Sequence, residues 1–104
     1  MNARGWNAYT TKGQTQSNQL ATSLYNATEK YLPCHRIRAD YTDRDPDIEE
    51  NYYILRHTLC PAVLTESLFM DNPEGCRFLL SEAGRQAIVN LHIEGICEYK
   101  KTLK

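Results

Sequence analysis

Glu66 is the residue whose setting asks for chemistry. It ends the apolar run Pro61-Ala62-Val63-Leu64-Thr65 and is followed at once by Ser67-Leu68-Phe69. A carboxylate closing a strand-like run has three uses: it pairs with a cation such as Arg56, it caps the next loop, or it is held free to take a proton. The spacing leaves all three open. At the C-terminal end of an apolar strand it would lie along the sheet edge where α/β proteins bind ligands, with burial and neighbouring charge setting its acidity.

The other reactive groups form weaker patterns. Asp43, Asp45 and Asp47 resemble the start of a calcium loop, but the sixth position is Ile48 instead of Gly and the twelfth is Ile54 instead of Glu. Such a loop cannot close around the ion, and a solvated acidic loop is the simpler reading. His35, His57 and His92 are widely separated, with no pair at the helical spacing of a zinc protease. His57 and Cys60 could offer two donors to a metal, but zinc needs three or four and no third is evident. Cys34, Cys60, Cys76 and Cys97 are scattered, without a CxxC pair. They read as free, mostly buried thiols rather than as a disulfide framework or a nucleophile.

These groups need elements to hold them. Arg4–Thr10 (RGWNAYT) is an aromatic-rich strand pattern, broken at Lys12-Gly13. From Thr15 the period changes: Leu20, Leu24, Ala27 and Tyr31, widened by Ala21, Tyr25 and Leu32, predict an amphipathic helix ended by Pro33. His35–Tyr41, Tyr52–His57 and Pro61–Thr65 each have the length and apolar content of a strand. Asn72-Pro73-Glu74 is a helix start, with a cap, a proline in the first turn and an acid at the positive end of the dipole. That helix runs to about Leu80. Ser81 caps a second one, with Ile88, Leu91, Gly95, Ile96 and Tyr99 on its apolar face. The order predicts an α/β architecture, a mostly parallel sheet flanked by helices.

Bulk composition bounds the function. At 104 residues the chain is one domain, with 41% hydrophobic residues, 24% charged residues and a net charge of −1. That balance supplies neither a basic footprint for nucleic acid nor a polybasic membrane patch. No apolar run approaches the roughly 18 residues of a membrane span. The segment MNARGWNAYTTKG has no apolar core of a signal peptide.

From "YYILRHTLCPAVLTESLFMDNPEGCRFLLSEAGRQAIVNLHIEGI" the chain resembles the C-terminal part of the zinc-dependent N-acetylmuramoyl-L-alanine amidases of the family-3 type. The upstream "RGWNAYTTKGQTQSNQLATSLYNA" is similar to the strand and helix that follow the family's last metal-ligand histidine, so the resemblance spans essentially the whole chain. Its most specific part is Pro61-Ala-Val-Leu-Thr-Glu66, with Asn72 six residues on.

The resemblance implies a phosphorylase/hydrolase-like amidase fold and cleavage of the amide between N-acetylmuramic acid and the L-alanine of the peptidoglycan stem. It implies Glu66 as the catalytic base and a zinc-activated water. The family's zinc-ligand motifs, DxGHGG-like and SIHxN-like, are absent from this sequence, and none of its three histidines falls at a ligand position. Ser67 stands where members often carry Thr or Asn, and the glycine before Phe69 is missing.

Residues 1–104 are accordingly expected to be the C-terminal part of the catalytic domain, without its first strands and inactive alone if no metal ligands are supplied. Peptidoglycan or a muropeptide is the implied partner, with self-association through the exposed sheet. The implied location is the cell envelope or the exterior. Two other readings remain: a non-catalytic cell-wall-binding remnant, and a plain α/β interaction domain in which Glu66 is structural.

Overall fold

The computed structural model describes residues 5–11, 16–33, 37, 48–49, 52–69 and 71–103. The expected strand at 35–41 and Cys34 lie outside these residues, apart from Ile37, which forms one parallel bridge to Trp6. Of the expected acidic loop only Ile48 and Glu49 are described, and they form a short strand paired with the first strand instead of loop. The elements are β1 (Trp6–Thr10), α1 (Gln16–Tyr31), β2 (Ile48–Glu49), α2 (Tyr53–His57), β3 (Leu64–Ser67), α3 (Pro73–Leu80) and α4 (Glu82–Lys101).

Gly5 turns the chain into β1 at φ 110°, a left-handed backbone that side chains oppose. Along β1 the side chains alternate. Trp6 and Ala8 are fully buried against the helices, and the Trp6 ring meets Tyr25 of α1 edge to face at 5.0 Å. The Tyr25 hydroxyl accepts a hydrogen bond from the Ala8 amide at 2.9 Å, fixing α1 to the strand. Burying a side chain such as Trp6 contributes about 3 kcal/mol or more from apolar area alone. α1 and α4 form the most extensive contact between elements. They approach so closely that a Cβ on Gly95 would stand 2.6 Å from Leu24 Cδ2.

The expected helices form as read. Asn72 Oδ1 accepts from the Gly75 amide at 3.1 Å to start α3, and Ser81 Oγ accepts from the Gly84 amide at 2.9 Å to start α4. One member of the expected α4 core face differs: Leu91, Gly95 and Tyr99 are buried, but Ile96 is 52% exposed. Ile96 lies too far round the helix from Leu91 to share its face.

Two strand expectations require correction. Tyr52–His57 is not a strand; residues 53–57 form the single helical turn α2. A short apolar run fits either state, and here the turn buries Leu55 while Tyr53 and Ile54 face outward. The strand expected at Pro61–Thr65 begins later, at Leu64. Pro61 has no amide to give a ladder, and the Ala62 amide is used on Ser17 Oγ at 2.9 Å.

Where it is described, the sheet mixes parallel and antiparallel pairing. Its order is β2-β1-β3, with β2 parallel to β1 and β3 antiparallel. α2 is only five residues, about 7.5 Å of helix, too short to return the chain to the far end of the sheet. Residues of α2 and of 58–61 line one cleft with Thr11 and Gln16, at the C-terminal end of β1. β3 therefore starts at that end and runs back down.

Candidate functional site

Antiparallel pairing carries Glu66 to the opposite end of β1 from the one its strand position suggests. The register sets Trp6 against Ser67, Asn7 against Glu66, Ala8 against Thr65 and Tyr9 against Leu64. Directly opposed residues share a face of the sheet. Trp6, Ala8, Thr65 and Ser67 therefore belong to the face packed on α1 and α4. Asn7, Tyr9, Leu64 and Glu66 belong to the other.

Glu66 is half-buried, and its carboxylate makes no hydrogen bond or ion pair among the described residues. It does not pair with Arg56, which is exposed on α2 and lines the cleft at the other end of β1. The carboxylate opens instead on a cleft of about 570 Å³ formed by Glu66, Ser67, Leu68, Phe69, Asp71 and Leu79. That is the size of a small-ligand site, with an apolar wall and two carboxylates.

The wall depends on a strained turn. Leu68 has φ 66° and is 7% exposed, a buried non-glycine residue in the left-handed region. This is the position at which the sequence lacks the expected glycine. The conformation turns the chain sharply after β3 and sends Phe69 and Asp71 back along the mouth of the cleft.

Asn7 was not evident as a site residue. It is fully buried, and among the described residues neither Nδ2 nor Oδ1 has a hydrogen-bond partner. Strand alternation could have assigned its face, but only the register with β3 reveals that it faces Glu66.

The histidines do not join the cleft. His92 on α4 lies behind the sheet, with Nδ1 2.7 Å from the Ile88 carbonyl oxygen and Nε2 3.0 Å from Thr65 Oγ1. A carbonyl only accepts, so Nδ1 carries a proton, and in the neutral ring Nε2 accepts from the threonine hydroxyl. His57 stacks on Tyr53 at 3.9 Å, one turn along α2. Cys60 and Cys97 are exposed and Cys76 is half-buried, all as free thiols, so the expectation of mostly buried cysteines fails for the first two. Cys60 follows α2 in an irregular segment and Cys97 falls on the outer side of α4. Among the described residues no three His, Cys, Asp or Glu side chains converge as a metal site.

Comparison with known proteins agrees with the fold. An endolysin of Bacillus phage SPP1 is 31% identical over 88 residues, covering 85% of this chain and 31% of the phage protein. An N-acetylmuramoyl-L-alanine amidase of Clostridium difficile 630 superposes with a TM-score of 0.82 at 22% identity, over 99% of this chain and 52% of that one. The catalytic domain of CwlV, an N-acetylmuramoyl-L-alanine amidase of Bacillus (Paenibacillus) polymyxa var. colistinus, gives 0.79 at 20% identity, over 98% and 51%. The chain thus spans about half the length of these solved amidases and about a third of the endolysin. The sequence model of the N-acetylmuramoyl-L-alanine amidases matches residues 1–98, and the chain belongs to that family.

Proposed function

We propose that this chain acts in hydrolysis of the amide between N-acetylmuramic acid and the L-alanine of the peptidoglycan stem, with Glu66 as general base. The observation that carries this reading is a carboxylate without a partner among the described residues, at the mouth of an open, mostly apolar cleft. A glutamate used structurally would be tied to a cation or a cap, and among the described residues Glu66 is tied to neither.

In the reaction the Glu66 carboxylate accepts a proton from water as the water oxygen adds to the lactyl carbonyl carbon. The carbon–nitrogen bond then breaks, and the proton held by Glu66 passes to the departing alanine nitrogen. The products are a muramic acid carboxylate and a stem peptide with a free amino terminus. Leu68, Phe69 and Leu79 give the cleft its apolar wall.

The family's zinc does not fit the described residues. Among the described residues the cleft offers Glu66 and Asp71 as its only carboxylates and no histidine, and both described histidines are engaged elsewhere. Peptidoglycan places the site of action in the cell envelope or outside the cell. No helix among the described residues is long and apolar enough to cross a membrane.

Product chemistry tests the reading. The chain is incubated with purified peptidoglycan and zinc, and the soluble fraction is examined for new amino termini and new reducing sugars. The proposal requires free L-alanine amino groups without new reducing ends. Reducing ends without free alanine would make the chain a glycan-cleaving enzyme, and soluble products of neither kind would leave it a binding module.

A further inference from the structure

We infer that the outer face of α4 is a self-association surface, on which two copies of this chain pack α4 against α4 in antiparallel orientation. The helix buries Gly84, Leu91, Gly95 and Tyr99 against the rest of the fold. On its opposite side Val89, Ile93 and Ile96 are 49%, 56% and 52% exposed. Their spacing of four and three makes one continuous stripe along the helix. Three β-branched aliphatic side chains in a row are poor choices for a solvated helix surface, where straight-chain residues are favoured.

Charge at the ends of the stripe selects the occupant. Glu82 and Lys100 are 18 residues apart, five full turns, so they lie on the same line as Ile93. Both are exposed, and neither makes an ion pair among the described residues; Lys101, beside Lys100, is the one that pairs with Glu98, at 2.9 Å. Glu82 and Lys100 are equidistant from position 91, and so are Val89 and Ile93. A two-fold axis at that height brings Glu82 of one copy to Lys100 of the other, twice, and Val89 of each copy to Ile93 of the other. The pattern is self-complementary under the symmetry that a homodimer needs. Antiparallel helix dipoles attract, since each positive end lies beside the other's negative end.

The contact is modest. A helix of 20 residues covers about 30 Å by 10 Å, well short of the roughly 800 Å² per partner of a standard interface. The dimer is accordingly weak, forming at micromolar concentrations or above. Glu66 opens on the sheet face away from α4, so association leaves both clefts free.

Sedimentation velocity of the 104-residue chain, from micromolar to near-millimolar, tests the inference. The wild type should pass from monomer to dimer, more weakly at high salt. Ile93→Glu should raise the dissociation constant at least about tenfold, since it puts a charge in the desolvated centre. Glu82→Lys and Lys100→Glu should each weaken association by creating like-charge pairs, and combining them should restore it. Circular dichroism melting confirms that each variant is folded, and Val89→Lys replaces Ile93→Glu if that one is not. A chain monomeric throughout, a dimer indifferent to Ile93→Glu and to Val89→Lys, or a double charge swap no stronger than either single one would overturn the proposal.

Discussion

Asn7 and Glu66 face each other across β1 and β3, one fully buried with neither amide atom partnered among the described residues, the other half-open to a cleft. A buried amide without partners costs stability, because its lost hydration is not replaced. Asn7→Val keeps the strand, suits β propensity and removes the orphaned polar atoms. It should raise the unfolding free energy by about 1–2 kcal/mol in urea denaturation. A loss of stability would mean that the amide is satisfied in solution.

Leu68 makes a prediction from strain. Its left-handed backbone costs any residue with a Cβ roughly 1–2 kcal/mol, and burial of its side chain offsets that cost. Leu68→Ala loses the burial and keeps the strain, whereas Leu68→Gly loses both. The glycine variant should therefore be the more stable of the two by about 1 kcal/mol, the reverse of their order in an extended segment. Equal melting temperatures would argue against the φ observed here.

Two glycines of α4 are expected to resist the exchange that normally favours helices. Glycine to alanine in a helix interior gains up to about 1 kcal/mol. A Cβ on Gly95 would press on Leu24, with Cδ2 at 2.6 Å and Cα at 2.9 Å, so Gly95→Ala should instead destabilise by about 1–3 kcal/mol. On Gly84 the Cβ would collide with the carbonyl oxygen of Phe78, a backbone atom that cannot swing away. Gly84→Ala should cost more than Gly95→Ala in thermal unfolding, and would disturb the α3–α4 corner.

The ion pair between Lys30 and Glu94 predicts a pH dependence. Lys30 Nζ lies 2.9 Å from Glu94 Oε1, and that hydrogen bond and charge hold the ammonium above its ordinary value of 10.5. A raised folded pKa means that the stabilisation is fully present below the unfolded value and lost as pH rises through the folded one. The stability difference between wild type and Glu94→Gln should stay flat from neutral to mildly alkaline pH and shrink above about 10.5. The lysine is exposed, so the difference itself should be small and sensitive to salt. A gap that widened above pH 10.5 would contradict the pairing.

What the sequence made legible follows from where each signal is encoded. α1, α3 and α4 are local: a 3.6-residue period, Pro33 as a stop, and Asn72 and Ser81 as caps lie within each segment. The direction of β3 is not local. It depends on α2 being a single turn, and the apolar run Tyr52–His57 does not distinguish that turn from a strand. Because β3 runs back along β1, Glu66 reaches the N-terminal end of β1, and the partner facing it, Asn7, is fixed by register alone. Gly95 was legible as part of the helix's apolar face and Gly84 only as a helix residue, but the exclusion of a Cβ at either was not, since Leu24 and Phe78 contribute it.

The central claim is that Glu66 supplies the base for amide hydrolysis, and the direct measurement compares wild type with Glu66→Gln on labelled peptidoglycan in the presence of zinc. The rate of appearance of free N-terminal L-alanine is followed beside the dissociation constant of a muramoyl-peptide. The account predicts release by the wild type, a loss of about 10²–10⁴-fold in Glu66→Gln, and nearly unchanged binding. Equal rates for the two proteins, or release by neither, would contradict it.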